Sequence, residues 1–131
     1  MEQMLEKHPD ARLQVFAVWE PMLAADWRAP ATGTLARLPD RRVSQFWDKG
    51  HVLAKRLAAD ARDPQPKPTC CMRRGVFWDL AAMYPAGAVW GEKLPPATLF
   101  DGPVVRAAPR IEAQLTHIGR RRSPTPRPTG S

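Results

Sequence analysis

The sequence predicts a three-layer α/β fold with a mostly parallel sheet and an antiparallel hairpin at the edge of that sheet. Residues 13–19 are apolar at almost every position, which is typical of a strand that is covered on both faces. Helical and strand patterns then alternate along the chain, as they do in α/β folds. With 131 residues, 44% of them hydrophobic and 25% charged, we expect one globular domain with a small core.

The first half of the chain contains three predicted helices and two predicted strands. A helix over residues 2–8 ends before Pro9, because the residue that precedes proline avoids helical dihedral angles. The strand over residues 12–19 ends at Glu20 and Pro21 and is followed by a loop over residues 22–30. We predict a short helix over residues 31–38, a strand over 42–47 and a helix over 51–61. Asp48 precedes this last helix and can cap it.

The second half begins with a proline-rich loop over residues 63–69. Residues 75–84 form the second strongly apolar run, and we predict that they pair with residues 88–90 in a hairpin across the turn at 85–87. Residues 94–103 are expected to be irregular. Residues 104–118 include the last helix, whose predicted apolar side carries Val105, Ile111, Leu115 and Ile118.

The formal net charge of +7 is unevenly distributed along the chain. Residues 119–131 contain four arginines and no acid, so the preceding part is only mildly basic; the four are Arg120, Arg121, Arg122 and Arg127. A segment of this composition cannot bury apolar surface, and we predict that residues 119–131 are a disordered tail beyond a domain over residues 1–118. The tail is either a solvated chain end or a contact for nucleic acid or anionic lipid, and the lack of interleaved aromatic residues favours the first interpretation.

Several functional classes lack their sequence signals. There is no apolar stretch of about 18 to 20 residues that would cross a membrane, and residues 1–8 do not have the pattern of a signal peptide. The sequence as written therefore predicts a cytoplasmic location. The sequence contains no nucleotide-binding glycine motif and no hydrolase elbow, so we predict no cofactor. The spacing of His8, His51 and His117 does not fit a metal site, and we expect these histidines at the surface.

The order of predicted elements resembles the thioredoxin superfamily from its active-site helix onward. Residues 2–8 would be the end of that helix, residues 75–90 the hairpin and residues 104–118 the last helix. The Asp48-Lys49-Gly50-His51-Val52-Leu53-Ala54 segment is similar to a turn and helix found in the redoxin branch. The resemblance implies a family of thiol-disulfide oxidoreductases, and Pro68-Thr69 is the nearest match to its cis-proline signature.

The chain departs from that family at the residues that carry its chemistry. The Cys-x-x-Cys motif and the strand before it are absent, and nothing in residues 1–8 can supply a thiolate at a helix N-terminus. We therefore expect a domain that is truncated at its N-terminus and inactive alone as a dithiol oxidoreductase. The unpaired strand edge that such a truncation would leave predicts self-association.

Cys70 and Cys71 are the only cysteines and are the candidate catalytic residues. Consecutive Cα atoms lie about 3.8 Å apart, less than the usual ~4.4 Å minimum for a disulfide, so a bond between them is expected to be strained. The neighbouring cations Lys67, Arg73 and Arg74 favour a thiolate. The pair could exchange with a protein thiol or disulfide, bind a soft metal in a non-catalytic module, or have no role beyond structure.

Three Trp-acid pairs are candidates for lining a cleft: Trp19-Glu20, Trp47-Asp48 and Trp78-Asp79. Glu20 and Asp48 follow two predicted parallel strands, and ligands of open α/β sheets bind beyond such strand ends. Asp79 is predicted inside a strand, where a salt bridge is expected to neutralise its charge.

Overall fold

The chain forms a mixed α/β structure, described here from a computed structural model over residues 1–23, 25–60 and 65–120. The described residues contain four helices: α1 (Glu2–Lys7), α2 (Thr32–Leu35), α3 (Val52–Asp60) and α4 (Val104–Arg120). Their six strands are β1 (Val15–Trp19), β2 (Val43–Trp47), β3 (Met72–Arg73), β4 (Val76–Phe77), β5 (Ala81–Met83) and β6 (Leu99–Asp101). No helix in these ranges is both long and apolar enough to cross a membrane.

Strands β1 and β2 form a parallel pair, in register from Val15 opposite Val43 to Trp19 opposite Trp47. The prediction that β1 is covered on both faces is wrong, because burial alternates along it and Phe16 is 65% exposed. Phe46 of β2 lies on the same bare face, with the two phenyl ring centres 6.1 Å apart. Apolar residues at every position therefore do not establish two covered faces.

The main core lies where α4 packs on β5 and β6, and Met4 of α1 also belongs to it. Its buried residues are Met4, Leu99, Ala107, Ile111 and Leu115. The predicted apolar side of α4 is confirmed at Ile111 and Leu115, but Val105 is 77% exposed. Ala107 takes part in the core in its place, since it lies one turn before Ile111 on the same helix face.

The predicted hairpin between residues 75–84 and 88–90 is not formed. Strand β5 pairs instead with β6, which lies in the stretch that the sequence analysis predicted to be irregular. Val89 is 78% exposed, whereas Leu99 and Phe100 are 4% and 1% exposed. Pairing with β6 buries far more apolar surface, and this burial decides the partner. A second small hairpin, β3 with β4, precedes it.

The described strands form three separate two-stranded sheets, and Val15 and Val76 lie in different ones. One pair is parallel and two are antiparallel, so the prediction of one mostly parallel sheet is wrong. The strands of the second half are short, with β3 and β4 only two residues long, and proline-containing segments lie before β3 and between β5 and β6. The helices α1, α3 and α4 lie where the sequence predicts them.

Candidate functional site

The vicinal cysteines lie in the loop that leads into β3, and the structure contains a disulfide bond between them. Cys71 is buried, with 8% of its surface exposed, while Cys70 is half-buried. The backbone of Cys71 has a φ of +78°, in the left-handed region that residues with a side chain rarely adopt. The two cysteines are therefore held in a constrained turn, and Cys70 is the more exposed of the two.

The cysteine pair is anchored by Asp101 and Gly102, which precede α4, and by Trp78, which follows β4. On one side, Thr69 donates its backbone N–H and its hydroxyl to Oδ1 of Asp101, at 2.8 and 2.9 Å. On the other side, Cys71 accepts a hydrogen bond from the Trp78 backbone N–H at 2.9 Å. A Cβ atom placed on Gly102 would lie 2.9 Å from Cys71 Sγ, so the sulfur packs directly against this glycine.

Asp101 is the ionised centre of this anchor. Hydrogen bonding from the Thr69 backbone N–H holds the pKa of Asp101 below its ordinary value, and the Gly102 N–H, the Thr69 hydroxyl and the Arg110 charge act in the same direction. Arg110 of α4 contacts Asp101 Oδ2 at 2.8 Å. A carboxylate that binds the cysteine loop therefore also binds α4.

Pro68 does not form the predicted cis peptide bond. Among the described residues, the cis X–Pro bond is Gly102–Pro103. Pro68 lies in an irregular loop and is followed by Thr69, Cys70 and Cys71 before β3 begins, so it does not enter a strand directly. The predicted cations Arg73 and Arg74 are exposed in and beside the β3–β4 turn.

The carboxyl ends of β1 and β2 do bring two predicted residues together, because Trp19 and Trp47 are register partners. Asp48 caps α3 as the sequence predicts: its carboxylate accepts hydrogen bonds from the N–H groups of Val52 and Leu53 at 2.7 and 2.8 Å. Trp19 is half-buried, and its indole N–H donates to Gln45 Oε1 at 3.0 Å.

A contact between Glu20 and His51 at this edge was missed by the sequence analysis. His51 Nδ1 lies 2.9 Å from Glu20 Oε2, and both side chains are largely buried. His51 is therefore not the surface histidine that was expected. The signal was present, because Glu20 follows one parallel strand and His51 follows the other, and such strand ends meet at one edge.

Asp79 is not inside a strand, so that prediction is wrong. It has a φ of +50° between β4 and β5, and its carboxylate accepts a hydrogen bond from the Val104 N–H at 3.1 Å. It thus binds the first residue of α4 and has no ion-pair partner among the described residues. Trp78 beside it is 40% exposed. The Trp78-Asp79 pair is distant in sequence from the pairs at Trp19 and Trp47, and it belongs to the cysteine loop.

The described ranges hold no group of three or more His, Cys, Asp or Glu residues that could bind a metal ion. The tail arginines Arg121, Arg122 and Arg127 lie outside the described residues, as do residues 61–64 of the predicted third helix and proline-rich loop. Comparison with protein families, curated proteins and solved structures finds no match for this chain.

Proposed function

We propose that the chain works in thiol–disulfide chemistry through Cys70 and Cys71, as a redox-responsive module and not as a turnover enzyme. The observation that carries the proposal is the disulfide between two adjacent cysteines in a loop tied to α4. Closing a ring through neighbouring residues restricts the backbone, and Cys71 has a positive φ within that ring. Reduction would lift the restriction and let the loop between Thr69 and Asp79 rearrange.

The chemistry needs an external dithiol or two monothiols as the reductant. A thiolate attacks Cys70 Sγ, a mixed disulfide forms, and Cys71 leaves as a thiolate that takes up a proton. A second thiol attacks the external sulfur of the mixed disulfide and releases Cys70. Two electrons have then passed to Cys70 and Cys71, and the reductant has become a disulfide.

The test is to equilibrate the protein in dithiothreitol and glutathione buffers, which together cover about −350 to −150 mV, and then alkylate it with iodoacetamide. We expect no alkylation under oxidising conditions, two alkylations under reducing conditions, and full reversal. Trp78 lies beside the loop, so its fluorescence should follow the same transition. Two alkylations across the whole range would overturn the proposal. The Cys70→Ser, Cys71→Ser double variant is the control for tryptophan signals that do not depend on this pair.

We also propose a relationship to the thioredoxin-like fold. What supports it is element order alone, namely α1, β1, α2, β2, α3 with a parallel β1–β2 pair and an antiparallel β5–β6 pair followed directly by α4, since these pairs lie in separate sheets. The sequence has no Cys-x-x-Cys, so we expect no catalysis of insulin reduction by this chain. Turnover of insulin above the rate with dithiothreitol alone would contradict that expectation.

A second candidate function is binding of a thiophilic ion by the reduced pair. The two sulfurs are adjacent, and the described residues supply no third and fourth ligand of the kind that zinc uses. This favours a species that needs only two thiolate ligands, such as mercury(II) or a trivalent arsenical. Phenylarsine oxide should bind the reduced protein at one equivalent and should not bind the double serine variant. Equal uptake by both proteins would remove this candidate.

A further inference from the structure

A cavity of about 180 Å³ lies next to the cysteine loop, between that loop, β6 and α4. At about 30 Å³ per water molecule, it has room for a small organic ion of about six non-hydrogen atoms. Its apolar wall comes from Leu99 and Phe100, and its polar wall from Lys67, Thr69, Asp101 and Arg110. A ligand of this cavity would identify the class of molecule with which the redox module reacts. The assignment of that ligand therefore rests on the proposed function.

The polar wall of this cavity carries an excess of positive charge. Asp101 is the one acid in the wall, and its two oxygens are already bound, Oδ1 by Thr69 and Oδ2 by Arg110. Lys67 is exposed and has no ion-pair partner within the described residues. The Arg110 side chain is 56% exposed and uses one terminal nitrogen for Asp101, so other donors of its guanidinium are open. The wall therefore suits an anion with one negative charge.

Thr69 connects the cavity to the disulfide, because it lines the cavity and is bonded directly to Cys70. The Cys71 sulfur is closed off on the side of Gly102, where a methyl group added to that glycine would come within 2.9 Å of it. Cys70 is the more exposed of the two residues. Neither cysteine belongs to the cavity wall, but Cys70 is one residue from Thr69 and is the less buried of the two, so we take Cys70 as the point of exchange for a thiol whose other end lies beside Lys67 and Arg110.

We propose that the cavity binds the carboxylate of a small anionic thiol that exchanges with the Cys70–Cys71 disulfide. The thiolate sulfur bonds to Cys70 and the bond between the two cysteines breaks, with Cys71 leaving as a thiolate that is then protonated. A second molecule of the same thiol attacks the sulfur of the first. The products are the reduced cysteine pair and the disulfide of the small thiol, and two electrons have moved to the protein.

The test compares three thiols of similar size and different charge: 3-mercaptopropionate, 2-mercaptoethanol and cysteamine. Their rates of reduction of the full chain are measured by iodoacetamide trapping and corrected for the fraction of thiolate. The variant is Lys67→Gln, which removes an exposed charge without a described partner. Its control is Lys49→Gln, which removes an equally exposed charge outside the cavity wall.

In Lys67→Gln we expect the 3-mercaptopropionate rate to fall and the cysteamine rate to rise, each roughly fivefold, the factor for a unit charge about 4 Å away in water, so that their ratio falls roughly 25-fold. The ratio should stay constant in Lys49→Gln, and the 2-mercaptoethanol rate should stay constant in both variants. An equal fall in both variants would assign the preference to the overall charge of +7 and overturn the proposal. An unchanged ratio in Lys67→Gln would also overturn it.

These outcomes separate the inference from the proposed function. If dithiothreitol reduces the pair reversibly but the three thiols show no dependence on Lys67, the redox module stands and its anionic substrate is wrong. If no reductant changes the alkylation pattern, the redox module itself is wrong. Competition by propionate, which has the carboxylate but no thiol, is a measurement that does not depend on variants. Propionate should slow reduction by 3-mercaptopropionate and leave reduction by 2-mercaptoethanol unchanged. Equal or absent inhibition would count against a shared carboxylate site.

Discussion

Arg42 binds Asp40 through two donors, with Nε 2.9 Å from Oδ1 and a terminal nitrogen 2.6 Å from Oδ2. The same guanidinium donates to backbone carbonyls at the end of α1 and in the turn after it, at 2.8 Å to Leu5, 2.7 Å to His8 and 3.2 Å to Ala11. One side chain at the start of β2 therefore joins the end of α1 to the turn after it, in addition to the backbone N–H bonds that the Leu5 and His8 carbonyls already accept.

Arg42→Lys is expected to destabilise the protein by about 2 kcal/mol, the size of a lost hydrogen-bond set to a charged group. A lysine ammonium is a point charge on a flexible stem and cannot replace the planar fork that reaches Asp40 and three carbonyls. Urea unfolding followed by circular dichroism measures the change. Arg41→Lys is the control, because Arg41 is exposed and acts on Asp40 only through its charge, which lysine keeps. Equal stability of the two variants would contradict the structural role of Arg42.

Acid should weaken the contact between Asp40 and Arg42 in a defined range of pH. The hydrogen bond from the Arg42 side chain lowers the pKa of Asp40 from 3.8 to about 2. Because the folded-state pKa is below the unfolded one, this contribution is complete above about pH 4 and is lost as the pH falls toward 2. Asp40→Asn should therefore reduce the slope of stability against pH in that range. An identical slope in the wild type and the variant would contradict the assignment, and Asp10→Asn at an exposed acid is the control.

Asp48→Ala should cost about 1 kcal/mol through loss of the cap on α3. Its carboxylate accepts from the N–H groups of Val52 and Leu53, which have no partner inside the helix. Asp48→Asn keeps only one of the two oxygens that accept these bonds, so it should restore part of the lost stability. The free energy of unfolding in urea is the measurement. An Ala variant as stable as the wild type would contradict the capping role of Asp48.

Gly102→Ala should destabilise the protein by about 1 to 3 kcal/mol, as expected for overpacking. The added carbon would lie 2.5 Å from the Asp79 carbonyl oxygen and 2.9 Å from Cys71 Sγ, so backbone and sulfur must both move. The control Gly91→Ala has no atom within 4 Å of the new carbon. Thermal unfolding of both variants in the oxidised form is the measurement. A Gly102 variant as stable as the Gly91 variant would show that the cysteine loop is not packed against this glycine.

Local patterns predicted the helices and the strands β1 and β2, but not the short strands of the second half or their pairing. The helices α1, α3 and α4 follow from proline positions, from Asp48 as a cap and from apolar spacing, all of which act within a few residues. The partner of β5 depends on burial of Leu99 and Phe100, which are separated from it by a loop of irregular composition. Val89 and Trp90 are as apolar as those residues, so periodicity alone could not choose between the two strands.

The candidate site was predictable in part. Cys70 and Cys71 stand out because no other cysteine is present, and Asp48 because it precedes an apolar helical pattern. The anchors of the cysteine loop were missed, since Thr69 meets Asp101 and Cys71 meets Gly102 across more than 30 residues of sequence. Such contacts are set by tertiary packing, and a single sequence carries no signal that pairs them.

The bare face of the parallel pair should promote self-association, and the substitutions Phe16→Thr and Phe46→Thr together should reduce it. These two rings are 65% and 52% exposed, and they lie 6.1 Å apart on adjacent strands. A contiguous apolar face on a two-stranded sheet with open edges is a site for pairing with another chain. Threonine is β-branched, a shape that suits a strand, so the variant should fold with stability within about 0.5 kcal/mol of the wild type.

Light scattering over a range of concentrations is the measurement of this association. We expect the apparent mass of the wild type to rise with concentration and that of the double variant to rise less. Val105→Thr, at a residue that is 77% exposed on α4, is the matched control because it removes an isolated apolar side chain and leaves the face of Phe16 and Phe46 intact. A wild type that stays monomeric at high concentration would refute the role of this face. If all three proteins associate equally, the contact lies outside the face of Phe16 and Phe46. The double variant removes the two most exposed aromatic rings of the β1–β2 pair and leaves the strand edges unchanged.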